Sequence, residues 1–157
     1  MPDKHESYYS PQILNLGDGI KKVLFGTGGE TFPGSLYETD LSKITYFSSQ
    51  VNLDAKKIYQ GPRKGVITPP VLVDLNSDGR PDIVMCPFGD ECFALDGVNF
   101  KLLWKFDVVK NSETYVTPGA GYYNDDDIPD IFIQLFIGLG YPVYDYGEVT
   151  FIVSTCF

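Results

Sequence analysis

Short apolar runs alternate with turns rich in Gly, Pro, Asn and Asp along almost the whole chain. In the middle, Val71-Leu-Val leads into a polar turn and Ile83-Val-Met leaves it. Cys92-Phe-Ala-Leu then follows a Gly-Asp turn, and Leu102-Leu-Trp-Lys-Phe closes the set. Runs of this length bounded by turn residues predict strands, and four in succession with short connections predict one antiparallel sheet. An earlier set reads Val23-Leu-Phe, Leu36-Tyr-Glu and Ile44-Thr-Tyr-Phe. A later one reads Ile131-Phe-Ile-Gln-Leu, Pro142-Val-Tyr-Asp-Tyr and Val149-Thr-Phe-Ile-Val, ending where a fourth strand should begin. No stretch carries an amphipathic helical period of respectable length, and Asp54-Ala-Lys-Lys makes one turn at most.

The sets repeat. Leu16-Gly-Asp-Gly-Ile-Lys-Lys-Val-Leu-Phe-Gly26, Asn76-Ser-Asp-Gly-Arg-Pro-Asp-Ile-Val-Met-Cys86 and Asn124-Asp-Asp-Asp-Ile-Pro-Asp-Ile-Phe-Ile-Gln134 share a polar turn followed by a strand. Their aligned positions Lys22, Asp82 and Asp130 stand 60 and 48 residues apart. Thr-Pro precedes the second and third turns, in Ile67-Thr-Pro-Pro-Val and Val116-Thr-Pro-Gly-Ala. A four-stranded propeller blade takes about 40–50 residues, so the second interval fits and the first implies an insertion. The expected fold is all-β: a partial β-propeller of about three four-stranded antiparallel blades, the last incomplete. The blades fall at about residues 11–64, 65–112 and 113–157, after a disordered N-terminus over residues 1–10.

Composition supports this and narrows the partners. The 11 Tyr and 11 Phe suit half-buried pleated surfaces, and 16 Gly with 11 Pro supply turns. A formal net charge of −9 repels phosphate backbones and anionic lipid, which argues against nucleic acid or a membrane surface as partner. The polar start Met1–Ser10 lacks the apolar centre of a secretory signal. The longest apolar stretch, Ile131–Gly140, is about half the length of a membrane-crossing helix.

The acidic residues cluster, and one cluster has the spacing of a metal loop. In Asp74-x-Asn76-x-Asp78-Gly79-x-x-Asp82, alternate side chains offer oxygens to one point and Gly permits the sharp turn. Calcium takes six to eight such oxygens. Asp74, Asn76, Asp78 and Asp82 are the expected side-chain ligands, and Arg80 contributes its backbone carbonyl. Met85 occupies the position where an EF-hand needs Glu, and strands flank the loop, so the EF-hand reading fails. The competing reading is a hairpin turn without metal. The third loop is a weaker candidate through Asn124, Asp126, Ile128 and Asp130, because Tyr122 replaces the first Asp and Asp127 the Gly. In the first loop only Asp18 survives, and Lys22 supplies an ammonium in place of a cation.

Other candidates carry less. Cys86 and Cys92 flank Pro87-Phe88-Gly89-Asp90 and are able to face each other across a hairpin. Either a disulfide, implying an oxidising compartment, or a pair of free buried thiols fits. With His5 the single histidine, neither a zinc site nor a catalytic triad is expected. Gly26-Thr-Gly-Gly29 lacks the Lys-Ser/Thr and helix of a phosphate cradle. Ala94-x-Asp96-x-x-Asn99-x-Lys101-x-x-Trp104 resembles the blade motif of quinoprotein-type propellers, in which the Trp packs between neighbouring blades.

Asp74–Asp82 followed by Ile-Val also resembles the FG-GAP/VCBS repeats of integrin-alpha-type propellers. More narrowly, the chain is similar to the integrin-alpha FG-GAP repeat-containing 3 proteins, the family with sequence similarity 234. That likeness lies in Phe25-Gly-Thr-Gly-Gly-Glu-Thr-Phe-Pro-Gly-Ser-Leu36, Gly65-Val-Ile-Thr-Pro-Pro-Val-Leu-Val-Asp74, and the stretch from Thr114-Tyr-Val-Thr-Pro through Gly140-Tyr-Pro-Val-Tyr-Asp-Tyr146, and it spans roughly residues 11–150. It implies a propeller ectodomain of a single-pass membrane protein, on the extracellular or lumenal side, without catalytic activity.

The chain departs from that pattern in lacking a membrane segment and in having fewer blades than the four to eight that close a propeller. A fragment or truncated gene product is therefore expected, whose open blade edges invite self-association. The functional expectation is a protein-interaction or adhesion-type module with a calcium-stabilised loop. The alternative is part of a quinoprotein-like or hydrolase propeller enzyme whose active residues lie outside this chain.

Overall fold

A computed structural model describes residues 2–44, 54–89, 91–108, 112–137 and 147–153, with backbone alone at 137 and 147–153. The fold is all-β, in three antiparallel sheets arranged as partial propeller-like blades. The first sheet orders β1 (Gln12–Asn15), β2 (Lys21–Gly26), β3 (Ser35–Asp40) and β4 (Lys56–Gln60). The second orders β5 (Val71–Val73), β6 (Asp82–Met85), β7 (Glu91–Leu95) and β8 (Leu102–Asp107). In the third, β10 (Gly119–Gly121), β11 (Asp130–Ile137) and β12 (Gly147–Val153) follow one another, and β9 (Ser112–Glu113) also pairs with β11. One 3₁₀ turn, Leu41–Lys43, is the helical element among the described residues. No helix there is long and apolar enough to cross a membrane.

The second sheet shows why successive apolar residues lie where they do. Side chains of a strand alternate between faces. Ile83, Met85, Phe93 and Leu95 join Leu14, Leu16, Leu24, Leu36 and Val66 of the first sheet and its flanks in one core cluster. The intervening Val84, Cys86, Cys92 and Ala94 join Leu75, Val108, Ile131, Ile133 and Leu135 in a second cluster, towards the third sheet. A sheet covered on both faces has no polar side, so β6 and β7 read as unbroken apolar runs. Each fully buried aliphatic side chain contributes about 1.5–3 kcal/mol. Trp104, paired with Ala94 across β7 and β8, packs against this second cluster, to which the second and third sheets both contribute.

The 48-residue repeat survives in the strand register. Val71 pairs with Val84, Leu72 with Ile83 and Val73 with Asp82. Gly119 pairs with Phe132, Ala120 with Ile131 and Gly121 with Asp130. The first sheet differs, because its pairing runs on to Asn15 and Lys21 and leaves a shorter turn.

Two expectations need correction. The fourth strand of the first sheet is Lys56–Gln60, whereas Ile44 follows the 3₁₀ turn and the rest of Ile44-Thr-Tyr-Phe lies outside the described residues. Lys56 and Lys57 on an outermost strand hide its apolar signal, and lysines there discourage pairing with another chain. The N-terminal segment, expected to be disordered, is tied to the first sheet and its flanks through Asp3, Glu6 and Tyr9. Gly28 N–H donates to the Glu6 carbonyl at 3.1 Å, Thr27 Oγ1 donates to the Asp3 carboxylate, and Tyr9 packs on the first cluster. Its polar composition conceals a single aromatic anchor. The Pro142–Tyr146 run lies outside the described residues.

Candidate metal centre

The Asp74–Asp82 loop joins β5 to β6 and is built on its own carboxylates. Asp78 N–H is offered to both Asp74 Oδ1, at 3.2 Å, and Asn76 Oδ1, at 3.1 Å, which brings those two side chains together. Gly79 N–H donates to Asp74 Oδ2 at 2.8 Å, and Arg80 N–H donates to Asp78 Oδ1 at 2.8 Å. The turn requires positive φ at Ser77, 58°, and at Gly79, 79°. Gly79 adopts it without the steric penalty a side chain would bring.

Asp82 sits apart from this exposed ring, 1% accessible at the start of β6. Its Oδ2 accepts Leu75 N–H at 2.9 Å and its Oδ1 accepts Gly97 N–H at 3.0 Å. The carboxylate therefore ties the loop to the turn between β7 and β8. A Cβ on residue 97 would lie 1.9 Å from the Pro81 carbonyl oxygen, so only glycine fits there. Burial pushes the Asp82 carboxyl above its ordinary pKa. The bonds from Leu75 and Gly97 pull it back, and the charges of Asp96 and Asp78 push it further up. Among the described residues, neither Lys nor Arg pairs with it.

Asp96 is the participant that sequence reasoning missed. Its Oδ1 accepts Val98 and Asn99 N–H, each at 2.9 Å, and its Oδ2 lies 3.4 Å from Asn76 Nδ2. The residue stood out in the Ala94–Trp104 motif, but nothing in linear spacing joins it to a loop twenty residues earlier. Arg80, expected to act through its carbonyl, also reaches Asp18 of the first loop with its guanidinium, at 3.5 Å.

The third loop reproduces part of this network 48 residues on. Tyr123 N–H donates to Asp130 Oδ2 at 2.8 Å, Asp126 N–H to Asn124 Oδ1 at 3.0 Å, and Ile128 N–H to Asp126 Oδ1 at 2.9 Å. These match the bonds at Leu75, Asp78 and Arg80. Asp130, 1% accessible, takes Asn124 Nδ2 at 3.2 Å on its other oxygen. Tyr122 stands exposed where Asp74 does, so the two bonds made by Asp74 have no counterpart. Asp127, in place of Gly79, is not among the positive-φ residues.

The first loop shares two positive-φ positions with the second, adds a third at Asp18, φ 51°, and loses the oxygens. Gly17 and Gly19 both have φ of 78°, like Ser77 and Gly79, while Leu14 and Leu16 are buried in the core. The Lys22 ammonium does not stand in for a cation within the loop. It lies 2.9 Å from both Glu38 Oε2 and Asp40 Oδ1 on β3. Burial alone would lower its pKa, but bonds to Asp40 and Glu38 outweigh this and raise it. The same bond, reinforced by Lys43, holds the Asp40 carboxyl below its ordinary value.

Among the described residues, no three Asp, Glu, His or Cys side chains converge as a ready-made metal cage. The loop's donors are of mixed type, with Asn76 and a carbonyl among them, and the carboxylates are engaged with backbone N–H groups. An ionised carboxylate has about four acceptor directions, so these bonds leave lone pairs over on Asp74 and Asp78. No protein-family model, curated protein or solved structure matches the chain.

Proposed function

We propose that the chain is a non-catalytic protein-interaction or adhesion-type propeller module whose second blade loop is stiffened by calcium. The observation that carries this is the hydrogen-bond pattern shared by the loops of Asp82 and Asp130, 48 residues apart. A recurrent oxygen-lined turn at one end of successive sheets is a module for presenting loops. Carboxylates bonded to backbone N–H groups hold a turn and are poorly placed to exchange protons with a substrate.

Asp74, Asn76 and Asp78 would hold the ion through side-chain oxygens, Arg80 through its carbonyl, and Asp82 through its carboxylate. Calcium would supply positive charge to a loop whose anions otherwise repel one another, and would offset the cost of burying Asp82. That cost has a direction in pH. A carboxyl with a raised folded pKa favours folding below its unfolded pKa, and this contribution is lost as pH rises through the folded value. Asn124, Asp126, Ile128 and Asp130 form a weaker site of the same kind.

The resemblance to FG-GAP repeats and to the integrin-alpha FG-GAP repeat-containing 3 proteins supports placement in a membrane-protein ectodomain, facing the extracellular or lumenal side. The Cys86–Cys92 disulfide agrees with an oxidising compartment. The partner is a protein, and the net charge of −9 disfavours nucleic acid.

Thermal unfolding with and without cations tests the reading. With a dissociation constant of about 10⁻⁴–10⁻³ M, calcium at about 10 mM stabilises by about 1.4–2.7 kcal/mol. For a chain of this size the midpoint rises by about 3–10 °C. Magnesium, which demands octahedral geometry and keeps its water, should give a much smaller shift. Equal shifts with both ions, or none with calcium, would remove the calcium loop from the proposal.

A further inference from the structure

We propose that the Cys86–Cys92 disulfide is a redox-controlled clasp that keeps the second and third blades docked. The two cysteines follow β6 and lie on β7, with Cα atoms 4.2 Å apart, and both are buried in the cluster shared with the third sheet. Between them Phe88 is buried in a joint made by segments from outside its own turn. Its N–H donates to the Gly65 carbonyl at 3.1 Å, and the Lys64 ammonium lies 4.5 Å from its ring centroid. The Tyr115 ring meets it edge-on at 4.7 Å. Lys64, which leads into the second blade, is also ion-paired with Glu113, which leads into the third.

Phe88 is therefore the point where the leading segments of two blades meet, and the disulfide closes the turn that carries it. The Thr68 hydroxyl adds a bond to the Cys86 carbonyl at 3.1 Å, fixing one side of that closure to the strand before β5. With the bridge intact, Phe88 has few alternatives to its seat. With the bridge open, its turn gains conformational freedom, and the Tyr115 ring and the Lys64 ammonium, itself paired with Glu113, no longer have a fixed partner in Phe88. The control is local because the first sheet meets the second through the other core cluster, which contains neither cysteine.

Opening the bridge takes two electrons and two protons from a dithiol. Its thiolate attacks one sulfur to give a mixed disulfide. Its second thiol then displaces the protein sulfur, leaving two protein thiols and a cyclic disulfide. Because both cysteines are buried, a Cys86→Ser/Cys92→Ser variant supplies the open state without requiring the reductant to enter.

The test is amide hydrogen exchange on the full chain in a Cys156→Ser background, so that a single pair of cysteines is present. Four samples are compared: oxidised, reduced with dithiothreitol, the double serine variant, and oxidised Phe88→Ala. Phe88→Ala keeps the bridge and removes the side chain it positions. The expected result is exchange at least about tenfold faster over residues 112–137 in the last three samples, with β2 and β3 unchanged. Faster exchange confined to the turn around Phe88 would overturn the proposal, as would equal acceleration in all three sheets. Acceleration over residues 112–137 in the serine variant but not in Phe88→Ala would also overturn it, since the bridge would then act without the joint.

Discussion

Asp82→Ala is expected to lower the free energy of unfolding at neutral pH by about 2–5 kcal/mol, more than any other single change in its loop. The substitution removes the acceptor of two N–H groups at once, Leu75 on the same loop and Gly97 on the neighbouring turn, both on buried residues. A buried donor left without a partner costs about 1–3 kcal/mol. Loss of a carboxylate whose pKa is raised by burial returns part of this, which sets the lower bound. Asp82→Asn keeps one carbonyl oxygen but turns an amide NH₂ towards the other donor, so about half the loss is expected. Urea unfolding monitored by Trp104 fluorescence gives both values. If Asp82→Ala were neutral, the carboxylate would not be what ties the loop to the Gly97 turn.

Trp104→Ala is expected to cost about 2–4 kcal/mol, whereas Trp104→Phe should stay within about 1 kcal/mol of the parent. The partly buried ring packs against the core cluster to which the second and third sheets contribute, so truncation to a methyl leaves a cavity that β-sheet backbone closes poorly. Among the described residues the buried indole N–H finds no acceptor, and phenylalanine removes that uncompensated donor while keeping an aromatic ring. Circular dichroism during denaturation measures both, since the fluorophore itself is altered. A Phe variant as damaged as the Ala variant would contradict this, since an aromatic ring at that position would then not suffice to fill the space.

How far the sequence revealed the fold depended on where each element lies. The second blade was legible because its central strands β6 and β7 are covered on both faces and read as apolar runs between polar turns. Edge elements were not. β1 buries little besides Leu14, and β4 carries Lys56 and Lys57, so neither has a pattern to read. Tyr9 anchors a polar segment through one aromatic ring, a signal too small to outweigh the residues around it.

The candidate site divides the same way. Asp74, Asn76, Asp78 and Asp82 are spaced by local chain geometry, which a sequence records directly. Their division into an exposed ring and one buried strut is tertiary, set by Leu75, Gly97 and Asp96, and no spacing rule places these beside Asp82. Lys22 shows the reverse error. Alignment put it in the place of Asp82, but the extra pairing of β1 with β2 shortens the turn and sets it one residue into β2, where Glu38 and Asp40 hold it.

Calorimetric titration of calcium into the full chain and into Asp78→Ala tests most directly whether the oxygen-lined turn takes a cation. Asp78 is exposed and its carboxylate accepts one exposed N–H, so the variant should fold with its strut at Asp82 intact. The parent chain should show one dominant site with a dissociation constant of about 10⁻⁴–10⁻³ M, and the variant at least about tenfold weaker binding. Identical isotherms for the two proteins would contradict the account and leave the loop a hairpin turn held by its own hydrogen bonds.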